Sequence, residues 1–194
     1  MYISQEFRES WSTPSKIILR FAILFFGGFI VLMFLSSPLE SFLAWIGRDI
    51  LKMHGDFTIT STGSGDRTMN YVALFVQVCL TLIGTMVWSA LDQKRVSYNK
   101  LQYWFTVILR IFVSFFMLSY GMAKVFKIQF PEASLVQLLQ PLGEMSPMRL
   151  AWTYMGYSEG FNVFTGGLEV IAGLFLIPRR TQTLGALLVV GVMT

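Results

Sequence analysis

The sequence predicts an all-α membrane protein: a four-helix transmembrane bundle with a truncated fifth helix and short interfacial helices in its outer loops. Three observations carry that prediction. Of the 194 residues, 54% are hydrophobic and only 13% charged, against about 25% charged in a typical soluble domain. A soluble core of this size cannot hide so much apolar surface, whereas lipid can. Four apolar runs approach membrane length, and the basic residues gather in the short links between them. Residues 1–194 read as one transmembrane domain.

The runs are 17–35, 71–91, 105–126 and 161–177, with a partial fifth at 184–194. Spanning takes roughly 17 to 25 residues at ~1.5 Å each, so the first four qualify and the fifth is too short. No polar flank follows the fifth run, which predicts a natural chain extending beyond Thr194. Lys16 and Arg20 precede or open the first run, as in a signal peptide. The stretch is too long for that, and Phe34-Leu35-Ser36 makes a poor cleavage site, so it reads as a retained helix.

Orientation follows from charge. Lys94, Arg95 and Lys100 crowd the link between the second and third runs, Arg179 and Arg180 precede the fifth, and Arg8 and Lys16 precede the first. The long loops near 36–70 and 127–160 hold most of the acids. Positive-inside bias places the N-terminus and the short links in the cytoplasm. In the first long loop, Ser37-Pro38 reads as a cap and first turn of an interfacial helix carrying Leu39, Phe42, Leu43, Ile46 and Ile50. Phe57 to Thr62 is β-branched and polar, and leads into the turn-like Gly63-Ser64-Gly65-Asp66. In the second, Leu135, Leu138, Leu139 and Leu142 form a short stripe broken by Pro141. Ser146-Pro147 opens another helix with Trp152 and Tyr154 suited to the interface.

Helical wheels place polar and small residues on shared faces. Asn162, Thr165, Gly166, Glu169 and Gly173 lie together on the fourth span. Arg110, Ser114, Gly121 and Lys124 do so on the third, with Tyr120 beside them, and Gln77 lies in a similar stripe on the second. Such stripes belong between helices. The candidate polar interior is therefore Arg110, Ser114, Tyr120, Lys124, Gln77, Asn162 and Glu169. The candidate outer mouth is Asp66, Glu144, Arg149 and Glu159. A charge near the bilayer centre costs from ~2.5 kcal/mol upward, so Glu169 needs a counter-ion or a proton. Counting rises puts Glu169 about 12 Å and Arg110 about 9 Å from the cytoplasmic ends, depths that allow pairing. That pair is either a structural lock or leaves Glu169 protonated for function. Lys124 and Arg20 read as snorkelling residues near helix ends.

Composition also excludes chemistry. One cysteine, Cys79, forbids an internal disulfide or a CxxC redox pair. One histidine, His54, excludes bis-histidine haem ligation within the chain, and there is no zinc motif. The net charge of +4 is dispersed along the edges of apolar runs, which points to lipid rather than nucleic acid. No nucleophile–base pair, phosphate loop or metal motif stands out.

Several stretches together resemble the DoxX-like family of bacterial integral membrane proteins. They are Tyr120-Gly121-Met122-Ala123-Lys124, Gln129-Phe130-Pro131, Ser146-Pro147-Met148, Trp152-Thr153-Tyr154-Met155-Gly156-Tyr157-Ser158 and Phe164-Thr165-Gly166-Gly167-Leu168-Glu169, followed by Arg179-Arg180-Thr181 and Leu184-Gly185-Ala186. The resemblance implies a four-helix bundle in the bacterial inner membrane, and Arg110, Lys124 and Glu169 match its polar positions without a catalytic role. It also implies a link to membrane oxidoreductase complexes; the leading reading is a polar, outward-opening cavity that binds a small molecule or supports a membrane redox complex, with quinone or lipid as the ligand class and membrane or periplasmic proteins as partners. The DoxD type is linked to thiosulfate:quinone oxidoreductase. The alternatives are a non-enzymatic assembly or interaction protein, and a small-solute or proton carrier resting on Glu169.

Overall fold

The computed structural model describes residues 11–54, 57 and 67–193, and every element among them is helical. They are α1 (Thr13–Trp45), a π-helical turn (Ile46–Ile50), α2 (Thr68–Leu91), α3 (Asn99–Val125), α4 (Leu135–Leu139), a 3₁₀ turn (Leu142–Glu144), α5 (Pro147–Tyr157), α6 (Glu159–Leu176) and α7 (Gln182–Met193). Four segments are long and apolar enough to cross a membrane: Thr13–Phe34, α2, α3 and α6. With 12 residues, α7 falls short of a span. Large apolar side chains such as Phe26, Leu80, Met86, Ile108, Phe115 and Phe164 stand exposed along these helices, as lipid-facing positions would.

The chain divides into two compact units, Met1–Phe105 and Thr106–Thr194, with the boundary inside α3. In the first unit, Ser12 caps α1 by accepting from the Ser15 N–H, and Pro14 sits in the first turn, where its missing N–H costs nothing. The helix then continues through Ser37 and Pro38 to Trp45. A new helix was expected to start there; instead one 33-residue helix forms. The proline removes one backbone donor, which the intact turns on either side tolerate.

Leu43, Ala44 and Met69 form the buried core between the end of α1 and the start of α2, with Leu39, Phe57, Ala73 and Val76 around them. Gly47 makes room for Phe57: a Cβ there would lie 2.4 Å from its ring. The expected β-branched stretch beyond Phe57, and the Gly63–Asp66 turn, lie outside the described residues.

In the second unit, α3 ends in a left-handed residue, Lys127 (φ 55°), while Ile128 and Gln129 donate back to the Ala123 carbonyl. Ser134 opens α4 with a reciprocal capping box to Gln137, and the helix stops at Gln140, before Pro141. Ser146 caps α5, and Ser158 caps α6 by accepting from the Phe161 N–H at 3.2 Å. The two short loop helices therefore form where the caps and prolines place them.

Candidate functional site

The second unit contains a polar seam between α3 and α6. Its geometry is set by glycines at positions where only backbone fits. A Cβ on Gly121 would lie 2.7 Å from the Gly166 carbonyl oxygen, and one on Gly166 would lie 2.6 Å from the Gly121 oxygen. Two turns away, the Ser114 hydroxyl donates to the Gly173 carbonyl at 2.7 Å, and a Cβ on Gly173 would meet Met117 and the Ser114 oxygen. Seven residues back along α3 match seven residues forward along α6, so the helices run antiparallel and nearly touch.

That register decides which charges meet. Glu169 lies three residues beyond Gly166 and is therefore level with position 118 of α3. Arg110 is roughly eight residues further back, about 12 Å along the axis. Side chains on a helix also tilt toward its N-terminus, which carries Glu169 toward Lys124 and carries Arg110 away. The structure accordingly pairs Lys124 Nζ with Glu169 Oε1. The Lys124 stem lies against Gly166, whose absent Cβ would meet the Lys124 Cβ at 2.8 Å. The expected Arg110–Glu169 pair does not form. Arg110 Nη1 instead donates to Gln182 Oε1 of α7 at 2.6 Å.

Glu169 is 2% exposed and Asn162, two turns before it, is fully enclosed. Asn162 Nδ2 donates to the Met155 and Ser158 carbonyls at 2.8 and 2.9 Å, tying α6 to the end of α5. Glu169 Oε2, Asn162 Oδ1 and Arg110 Nε are buried with no hydrogen-bond partner among the described residues. Buried polar groups are rarely left that way, so each is a position that a water or a bound group can complete.

Of the expected interior residues, Ser114, Lys124, Asn162 and Glu169 share this seam, and Arg110 lies at its other end with Gln182. Tyr120 does not belong to it. At 53% exposure it faces outward against Phe116, because it precedes Gly121 by one residue and so lies about 100° around the helix. Gln77 belongs to the first unit, where its amide nitrogen donates to the Leu24 and Phe25 carbonyls at 3.2 and 2.9 Å. A Cβ on Gly28 would collide with that amide at 2.3 Å, so the glycine lets α1 and α2 close on it. Of the expected mouth, Asp66 lies outside the described residues, and Glu144, Arg149 and Glu159 are exposed. The Gln140 side chain contacts both the Glu144 carbonyl (3.1 Å) and Arg149 Nη1 (3.5 Å). His54 is exposed and Cys79 is a free thiol. Among the described residues, no three His, Cys, Asp or Glu side chains gather to hold a metal.

Two clefts accompany these groups. One, of about 380 Å³ in the first unit, is lined by Phe29, Leu32, Met33, Leu43, Ala73 and Leu74 with Asn70 and Gln77. The other, of about 530 Å³, lies between α3 and the α6–α7 pair. Leu109, Val113, Leu176 and Val189 wall it, and Arg110 and Gln182 supply its polar end. Thr106, Thr183, Ala186 and Val190 form an exposed rim. Gln77 spends its amide nitrogen on backbone carbonyls, whereas Arg110 keeps one enclosed N–H without an acceptor.

A further cluster was not legible in the sequence. Arg20, read as a snorkelling residue, is 4% exposed. Its Nε and Nη2 donate to the Tyr98 hydroxyl at 3.1 and 2.8 Å, and Nη2 also reaches the Asp92 carbonyl at 2.8 Å. The Tyr98 hydroxyl in turn donates to Asp92 Oδ2. The Tyr98 ring, 1% exposed, meets Trp11 and Trp88 edge-on. This hydrogen bond holds the Asp92 carboxyl below its ordinary value of 3.8. Partial burial opposes the effect, and Trp88, Arg95 and Arg20 add to it. The only sequence signal was an arginine inside an apolar run facing an acid and a tyrosine in the next short link.

No known family model matches the chain, and no solved structure does. The chain is similar to YwoB, an uncharacterized protein of Bacillus subtilis (strain 168), with 35% identity over 79 residues. The match covers 41% of this chain and 49% of that protein, so the chain spans about half the length of the relative it matches.

Proposed function

We propose that the chain is a DoxX-like polytopic protein of the bacterial inner membrane, with its N-terminus in the cytoplasm. In this reading it binds a small molecule or serves as a membrane subunit of a redox complex, and the first is the half that the cleft supports. The observation that carries the reading is the cleft beside Arg110. Its volume of about 530 Å³ falls within the range of roughly 300–1,000 Å³ typical of small-molecule sites. Apolar walls with a few convergent polar groups are what such sites use to hold and orient a ligand. Arg110 lines that cleft, and its guanidinium keeps Nε without an acceptor among the described residues.

The test is copurification. Protein taken from native membranes and exchanged through neutral detergent should retain a quinone or lipid, identified by mass spectrometry of the extract. Val113→Trp, which fills the cleft, should lose it. A stoichiometric protein partner with no retained small molecule would instead support an assembly factor. The carrier reading draws on one specific observation, the buried Glu169 Oε2 with no partner. It requires a solute flux in vesicles that disappears with Glu169→Gln.

A further inference from the structure

Resting on the binding reading above, we infer that the occupant of the Arg110 cleft is an anionic amphiphile, a carboxylate or phosphate head on an apolar tail. A guanidinium stays protonated in any protein environment, so Arg110 brings a permanent positive charge into a segment long and apolar enough to span the membrane. Such a charge costs ~2.5 kcal/mol or more unless something compensates it. Gln182 Oε1 accepts one N–H but carries no charge. The ion pairs among the described residues, Lys124–Glu169 and Lys127–Glu132, both use other residues. No carboxylate of the described chain lies within ion-pair distance of Arg110.

The donors that Arg110 has left suit an acid. Nη1 is engaged, while Nε is enclosed and free. A carboxylate or phosphate takes two N–H groups of one guanidinium fork side by side, as a neutral carbonyl cannot. The Thr106 and Thr183 side chains line the same cleft, and Leu109, Val113, Leu176 and Val189 offer nothing to a polar tail. Arg179 and Arg180 lie in the turn just before Gln182. A quinone would satisfy one N–H and leave the charge unbalanced. The anionic oxygen balances both.

The experiment compares matched probes on purified protein in phosphatidylcholine nanodiscs, reading thermal unfolding against probe concentration. Palmitate and its methyl ester differ only in the charged head, and phosphatidylglycerol and a short-chain menaquinone complete the set. Palmitate or phosphatidylglycerol should bind roughly ten- to a hundredfold more tightly than the ester or the quinone, the difference expected for a charge-assisted bond. Whichever of the two binds more tightly identifies the source of the head. Arg110→Gln should erase the preference, and Arg110→Lys should keep part of it. Should Arg110→Gln fail to fold, the acid–ester ratio on the unmodified protein decides alone. Equal binding of acid and ester overturns the anionic head and leaves the binding reading standing. If no probe binds, and Val113→Trp changes nothing, the binding reading itself fails.

Discussion

Removing the ammonium of Lys124 should strand the Glu169 carboxylate, and the cost can be estimated from the surroundings of each partner. Lys124→Met keeps the stem that lies against Gly166 and deletes only the charge. Glu169 is 2% exposed and loses its one hydrogen-bond donor among the described residues, because Oε2 already has none. Breaking a buried pair this way costs about 3–5 kcal/mol. The reverse change should be milder. Glu169→Leu strands Lys124, whose side chain is 20% exposed and close to the helix end. Its head can move to water, for a cost of about 0–1 kcal/mol. The double variant replaces the pair by two apolar chains and should return close to the starting stability. Reversible unfolding in mixed micelles, followed by circular dichroism, yields the three free energies and a coupling of about 3 kcal/mol or more. The same cycle with Arg110→Met and Glu169→Leu should be additive within about 0.5 kcal/mol. A Lys124–Glu169 coupling below that limit, or an Arg110–Glu169 coupling above about 1 kcal/mol, would refute the register argument.

The glycine contacts predict a sharp contrast in melting temperature. Gly121→Ala or Gly166→Ala, which push a methyl against backbone 2.6–2.7 Å away, should cost about 1–3 kcal/mol. Gly167→Ala, with nothing within 4 Å, should be neutral or better, since alanine favours a helix by up to about 1 kcal/mol. For Asp92, the lowered folded-state value means that its contribution is present above the ordinary 3.8 and is lost as pH falls through the folded value. Thermal stability should therefore drop below about pH 4, and Asp92→Asn should flatten that part of the profile; an unchanged slope would remove Asp92 from the account. Arg20→Lys should recover only part of the stability that Arg20→Ala loses, because one nitrogen can reach both the Tyr98 hydroxyl and the Asp92 carbonyl, as Nη2 does, but nothing replaces the Nε bond. A lysine that restores stability in full would return Arg20 to a snorkelling role. For orientation, cysteines at Gly63 and Glu144 in a Cys79→Ser background should label from outside intact cells and cysteines at Lys94 and Arg180 should not; the reverse pattern would overturn the positive-inside reading.

How much of the site was legible depends on how far apart its parts lie in the chain. Gly121, Gly166, Gly173 and Ser114 were found on shared faces by helical spacing alone, and those faces do meet. Tyr120 was included because it adjoins that stripe in sequence, yet one residue of offset turns it to the outside. The pairing of Glu169 was misjudged because depth was counted from helix ends. Counting rises ignores both the register fixed by the glycine contacts and the tilt of side chains toward each N-terminus. Arg20 was misread for a similar reason, since its partners Asp92 and Tyr98 are more than 70 residues away and only the α1–α2 packing brings them close.

The sequence by itself determined the helices, their apolar lengths and the caps that start the short ones, because each depends on residues within a few positions of one another. Ser134 and Ser146 act on backbone groups three residues ahead, and no distant part of the chain is needed. Pro38 is the exception, where local propensity favoured a break and the continuous turns around it prevailed. Only the tertiary structure decided which polar groups share a site. The close approach of Gly121 to Gly166 fixes the sliding register of two antiparallel helices, and a shift of one turn, about 5.4 Å, would give every charge a different partner. That register gives Glu169 to Lys124 and leaves Arg110 at an apolar cleft with a donor to spare.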